Sequence, residues 1–179
     1  MKKEFKIFTV DNFEKEETYL RKMALAGFHF KSYQGFKYCF ENGEPQNSYY
    51  RIDYHSPEDG DKEEYIQLFK DSGWEIVFSF PILDGEWVYF KKNGDQAGST
   101  EIFTDTSSKV QLFHKIKTKW LRFASLISIC ILIPSLITSL AFGESISLLI
   151  VLPILAGIIF LYGKMVFNLT KKIQELEQG

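Results

Sequence analysis

Apolar residues along this chain recur every second position, then every third or fourth, then every second again. The cycle runs twice before the chain turns almost wholly apolar. A period of two marks a strand with one buried face, and a period near 3.6 marks an amphipathic helix. The first cycle predicts a strand over 5–10, a helix after Glu14-Lys15-Glu16-Glu17, the pair Gly27-Phe28, and two short aromatic strands ending at Tyr38-Cys39-Phe40-Glu41-Asn42-Gly43. The second predicts a strand over 49–54, a helix after Asp61-Lys62-Glu63-Glu64, the pair Gly73-Trp74, and strands ending at Val88-Tyr89-Phe90-Lys91-Lys92-Asn93-Gly94. The unit is strand–helix–strand–strand, and it repeats at a spacing of about 46–51 residues. A third start, Glu101-Ile102-Phe103-Thr104, resembles Lys6-Ile7-Phe8-Thr9 and reads as a closing strand.

Local signals support these elements. Asp11 is placed to cap the first helix, with Glu14 three residues on, as in a capping box. Ser56-Pro57-Glu58 offers a cap with proline at the first helical position. Leu20, Met23 and Ala24 form an apolar stripe, as do Tyr65, Leu68 and Phe69. Gly27 and Gly73 suit helix C-termini, where a left-handed residue is often needed. Among the strands, alternation puts Phe36, Tyr38 and Phe40 on one face, Tyr50, Ile52 and Tyr54 on another, and Trp74, Ile76, Phe78 and Phe80 on a third. The expected fold is α+β: a duplicated unit forming an antiparallel sheet of about seven strands with two helices on one face. A ferredoxin-like arrangement is its near neighbour.

Beyond this domain come two apolar stretches, 121–142 and 146–167, separated by Gly143-Glu144-Ser145. Each has the roughly 20 residues a helix needs to cross a bilayer. The expected organisation is a cytoplasmic domain at 1–108, a basic juxtamembrane linker at 109–119, transmembrane helices at 120–142 and 145–167, and a cytoplasmic tail at 168–179. Residues 1–6 open with charge and lack the long apolar region of a secretory signal.

Charge separates the two parts. Residues 1–108 carry 13 Lys and Arg against 20 Asp and Glu; residues 109–179 carry 8 against 3. An acidic domain is a poor binder of nucleic acid, which is held by basic residues neutralising phosphates. Lys115, Lys117, Lys119 and Arg122 precede the first span, and Lys164, Lys171 and Lys172 close the second. Basic flanks stay cytoplasmic, so the expectation is a multi-pass protein of the cell membrane with both termini inside. Trp120 and Tyr162 suit the interface, and Lys164 can snorkel to the headgroups. Pro134 and Pro153 read as tolerated prolines in an anchor, or as kinks of a transport path. Ser135 and Ser139 are spaced for close helix packing.

Catalytic spacing is sparse. His29, His55 and His114 are not spaced as metal ligands, and Cys39 and Cys130 imply no disulfide framework. His55 lies beside Asp53, Glu58, Asp59 and Asp61, which read as an acid-rich helix start or, alternatively, as an acid/base site. No enzyme activity, metal or cofactor is expected. Aromatic residues make up 16% of the chain, more than one core face absorbs. If Phe5, Ile7, Trp74 and Ile76 face the helices, then Phe8, Val10, Tyr33, Tyr49, Val77, Val88 and Phe90 face away. Such a face implies a partner, or else a strongly coiled sheet buried on both sides. Phe8, Tyr33, Tyr49, Val88 and Phe90 are the candidate partner-binding residues.

Lys6-Ile7-Phe8, Glu16 to Leu20, Ala26-Gly27-Phe28, Tyr65 to Trp74, and Trp87-Val88-Tyr89-Phe90 together resemble the bacterial DUF2812 family, a domain of unknown function, over roughly residues 5–105. The resemblance implies a domain carried before a hydrophobic helical tail and associated with PadR-like transcriptional regulators. It carries over no functional residue. The expected function is a membrane-anchored regulatory or accessory protein that contacts the lipid bilayer and a protein partner or second copy, and no nucleic acid directly. The alternatives are an accessory subunit of a transporter or channel, and a membrane-bound enzyme using the His55 region.

Overall fold

The computed structural model describes residues 1–82, 84–94, 106–142 and 146–178. The third start at 101–104 and the Gly143-Glu144-Ser145 turn lie outside the described residues. The chain divides into two units, 1–105 and 106–179.

The first unit contains β1 (Lys2–Phe5), α1 (Phe13–Leu25), β2 (Phe28–Gln34), β3 (Lys37–Asn42), β4 (Ser48–His55), α2 (Lys62–Asp71), β5 (Glu75–Ile82) and β6 (Gly85–Asn93). The α+β class, the antiparallel pairing and the repeated order of elements are as expected. The strands form two three-stranded sheets, ordered β1-β3-β2 and β4-β6-β5, rather than one sheet of seven. The two orders are the same order, with the third strand of each unit in the middle. A bulge interrupts β2 between Phe30 and Ser32, and another interrupts β5 between Ile76 and Phe78. These sites match: Phe30 pairs with Phe40 before the first, and Ile76 with Phe90 before the second. Gly27 and Gly73, which precede these strands, share a φ of +80°, a conformation that costs glycine little.

The bulges explain where period-two reading fails. An extra residue moves all later side chains to the other face. Trp74 is therefore buried beneath α2 in a cluster with Phe69, Val88 and Phe90, while Phe78 and Phe80 lie against Tyr89 on the opposite side. Phe36 leaves its expected face altogether. It sits in the two-residue turn between β2 and β3, with Gly35 at φ 52° and itself at φ 65°. Both positive values suit a type I′ hairpin turn, but a bulky side chain there is strained, by about 1–3 kcal/mol.

The helices do not share one face. On β6, α2 covers Val88 and Phe90, with Phe69 stacked 3.9 Å from the Phe90 ring. Helix α1 reaches β6 from the Tyr89 side, where Tyr89 meets Glu16. In the first sheet, α1 lies over Tyr38 and Phe40, the faces that correspond to Val88 and Phe90. Each helix thus covers the same face of its own sheet, and α1 is also enclosed by the second. The sheets meet along β2 and β5 through Phe30–Phe78 and Tyr33–Phe80 ring contacts at 6.0 and 6.1 Å. Phe30 also sits 5.1 Å from Tyr89 and 6.5 Å from Tyr50. Burial on both sides of β6 is what absorbs the surplus aromatics.

Cap assignments shift by a residue or two. Asn12 is the N-cap of α1 and makes no side-chain cap bond, while Asp11 belongs to a 3-10 turn. Ser56 and Asp59 form a reciprocal capping box around a short 3-10 turn. Asp61 caps α2 by accepting from the Glu63 and Glu64 N–H groups. Leu68 is exposed, so Phe69 is the buried residue of α2, with Tyr65 half-buried beside it.

The second unit is a pair of helices, α3 (Thr106–Phe142) and α4 (Ile146–Gln178). Residues 109–119 continue α3, and 168–178 continue α4. Both helices are long and apolar enough to cross a membrane, and Pro134 and Pro153 lie within them. At 37 residues, α3 is about 56 Å long, well beyond the roughly 30 Å hydrocarbon layer. Its N-terminal part runs beside the C-terminal part of α4, where Lys172 lies 5.4 Å over the Phe113 ring. Phe113, Ile116, Leu169 and Ile173 are buried there, and Lys117 donates to Thr170 Oγ1 at 3.0 Å. Trp120 and Tyr162 follow at 6.2 Å. Ser135 is buried on α3.

Candidate functional site

The five aromatic and aliphatic residues expected at a partner surface do not form one. Val88 and Phe90 are 1% and 0% exposed, sealed under α2. Tyr49 packs against that same cluster, and Arg21 covers its ring at 4.0 Å and donates to its hydroxyl at 3.0 Å. Phe8 and Tyr33 are half-buried on the α1 side, 6.1 and 4.9 Å from the Tyr38 ring. Assigning faces from a strand over 5–10 inverts this region. The strand ends at Phe5, and Phe8 turns inward while Phe5 and Ile7 point out.

Around His55, the acids expected for acid/base chemistry already have partners. Asp59 holds the Ser56 turn, Asp61 caps α2, and Asp53 accepts from the Tyr65 hydroxyl at 3.1 Å. His55 is buried, stacked 4.4 Å from the Tyr65 ring, and its Nδ1 has no hydrogen-bond partner. It lines an open cleft of about 730 Å³ with Asp84 and the Lys62–Glu86 ion pair, 2.6 Å long. Burial pushes the Glu86 carboxyl up, but hydrogen bonds from Lys62 and Ser79 and the charges of Lys62 and His55 outweigh it and hold the group below its ordinary range.

A buried carboxylate that the sequence did not single out joins the two repeats. Glu16 Oε1 on α1 accepts from the Tyr38 hydroxyl at 2.7 Å and from the Tyr89 hydroxyl at 2.8 Å. Burial raises the Glu16 carboxyl above its usual range, although both tyrosines favour the ionised form. Burial, with the charge of Glu16, pushes both tyrosine hydroxyls up. Glu17 beside it accepts from the Ile52 N–H at 2.8 Å, so α1 occupies the free edge of β4. In sequence Glu16 is one acid in a charge run; only the enclosure of α1 by both sheets sets it apart.

Besides the His55 cleft, two further surfaces are open among the described residues of this unit. A cleft of about 770 Å³ runs between α2 and the start of β5, lined by Ile66, Lys70, Gly73, Trp74, Glu75 and Ile76. Trp74 is buried and its indole N–H has no acceptor among the described residues, while Ile76 is exposed. An alternating strand hides this cleft, because the bulge after Ile76 is invisible in the pattern. At the β2–β3 turn, Phe5, Ile7 and Phe36 are 67%, 61% and 61% exposed. Phe5 pairs with Lys37, next to Phe36.

A family model described as a protein of unknown function, DUF2812, matches residues 12–125. That stretch runs from α1 through all six described strands but β1 and into α3. Neither a curated protein nor a solved structure matches the chain.

Proposed function

Since the chain belongs to the DUF2812 family, whose description names no function, we propose from its own physics that it is a membrane-anchored regulatory module. The α3–α4 hairpin holds it in the cell membrane with both termini cytoplasmic, and the N-terminal domain binds a protein partner. The observation that carries this reading is the cleft between α2 and β5. It presents exposed Ile76 beside Trp74, whose buried N–H lacks an acceptor. A buried donor without a partner costs free energy, which an incoming backbone carbonyl relieves. The domain is acidic, so a basic partner is favoured. A PadR-like regulator, the association implied by the resemblance, has the chemistry of a DNA-binding protein and suits that charge. Tethering concentrates the domain at the membrane, so a modest interface suffices. In this reading no catalytic step is assigned, because the acids near His55 serve as caps and ring partners.

Affinity purification of the full chain from native membranes after cross-linking tests it. Recovery of a cytoplasmic regulator by the natural protein, and its loss in a folded Ile66→Asp, Ile76→Asp variant, is the expected result. Recovery of a permease would favour the transporter-subunit alternative. A turnover lost in folded His55→Gln protein would favour the enzyme.

A further inference from the structure

The second open surface has a different character from the cleft. Phe5, Ile7 and Phe36 project at one end of the β1-β3-β2 sheet, around the β2–β3 turn. Lys3 and Lys37 are exposed beside them, while the Lys6 ammonium lies 4.0 Å over the Tyr19 ring. Neither Lys3 nor Lys37 has an ion-pair partner among the described residues. This basic, apolar tip belongs to a domain that carries 13 Lys and Arg against 20 Asp and Glu. Phe36 keeps a left-handed backbone conformation in which glycine or asparagine is usual. Such local conflicts concentrate where a chain contacts something.

We propose that this tip docks on an anionic lipid surface, with Phe5, Ile7 and Phe36 entering the headgroup boundary and Lys3 and Lys37 facing lipid phosphates. The inference rests on the membrane-anchored reading above. Aromatic side chains favour the interface, and stable surface binding takes an apolar signal together with a basic one. Either alone is weak, but the hairpin keeps the domain near the bilayer, so weak docking is amplified. A second copy of the chain fits poorly here. A symmetric contact through this tip would set the same lysines against each other.

The test uses the full chain in vesicles of phosphatidylcholine with phosphatidylserine. Single-cysteine proteins in a Cys39→Ala, Cys130→Ser background carry an environment-sensitive fluorophore at Gln34→Cys, beside the turn, or at Glu44→Cys, past the other end of β3. A third protein retains Cys130 alone. Nitroxide lipids then report proximity to the bilayer. The expected result is strong quenching at 34 and little at 44. The ratio of docked to free domain should fall about five-fold for each of Lys3→Ser and Lys37→Ser, and should fall again in Phe5→Ser, Phe36→Ser protein with an unchanged circular-dichroism melt. Docking is overturned if 34 and 44 are quenched alike while Cys130 is quenched. It is also overturned if shielding at 34 appears only at high protein-to-lipid ratio, which would mark a contact between copies, or only with a bound protein. Failure to quench at Cys130 would overturn the anchoring reading, and the docking with it.

Discussion

Glu16 is the side chain on which most of the first unit converges. It ties α1 to β3 of one repeat and β6 of the other through two tyrosine hydroxyls. Its folded-state carboxyl binds a proton more tightly than the unfolded one, because burial dominates. The folded state therefore retains that proton at pH values where the unfolded chain has released it. The contribution is complete below the unfolded value of about 4.5 and declines as pH rises through the higher folded value. Glu16→Gln keeps an acceptor for a tyrosine and removes this titration. Denaturant melts of the full chain in detergent, followed by tryptophan emission, should show the variant gaining on the natural protein as pH rises from 4.5 toward neutral. A constant difference across that window would show that Glu16 does not titrate differently on folding. Glu4 runs the other way: hydrogen bonds from Lys2 and Tyr19 hold it low, so the difference must be read between variants and not from the natural curve alone.

At the scale of elements, the two helix–strand junctions offer an internal control. Gly27 and Gly73 share the same left-handed conformation. Their surroundings differ. A Cβ at Gly27 would meet the Gly43 carbonyl oxygen at 2.7 Å, whereas one at Gly73 would meet only the flexible end of Lys92 at 3.5 Å. Gly73→Ala should cost about 1–2 kcal/mol for the backbone conformation. Gly27→Ala should cost that and more, since the Gly43 N–H also bonds to the Gly27 carbonyl and the backbone there cannot move freely. Urea melts of the two variants would decide it, and equal costs would remove the clash from the account. The junctions were legible from the sequence because glycine after an amphipathic run has a specific backbone meaning. The α+β class and the repeat were legible for the same kind of reason. The bulges were not: β5 is apolar on both faces and β2 mixes polar and aromatic residues, so an extra residue leaves no mark on either pattern. Unbroken alternation groups Trp74 with Phe78, which the bulge places on opposite sides, and Val88 and Phe90 read as surface because the sequence does not show that β6 is covered on both faces. Glu16 is hidden for another reason, since its burial depends on Tyr89 in the other repeat, 73 residues along the chain.

For the whole molecule, the decisive quantity is helix length. Helix α3 exceeds what a bilayer of ordinary thickness covers, and the excess carries buried Phe113 and Ile116, with Leu169 and Ile173 buried on α4. The apolar stretches were plain in the sequence, but the basic segment before them read as a linker, because lysines mask the apolar positions between them. Under the proposed topology, the Phe113–Lys172 end of the hairpin lies on the cytoplasmic side. A cysteine at Glu144 should be labelled from outside intact cells by a membrane-impermeant maleimide, and one at Lys171 only after permeabilisation. The reverse pattern would invert the topology. Labelling at neither position in intact cells would show that the helices do not present their connection to the exterior.

The matching bulges and the shared strand order describe two halves, neither of which closes its own core. Phe30 in the first repeat finds Phe78, Tyr50 and Tyr89 in the second. A lone unit would leave that ring in water, and about 45 residues bury too little to fold unaided. Each half therefore depends on the other for its core, and the single chain holds the two together. The segment Glu44-Pro45-Gln46 joins β3 of the first repeat to β4 of the second. Cutting the reading frame there and co-expressing 1–45 with 46–179 should restore a complex that co-purifies and regains the melting transition, with 1–45 unstructured by itself. Two fragments that never associate would show that the halves diverged beyond recognising one another.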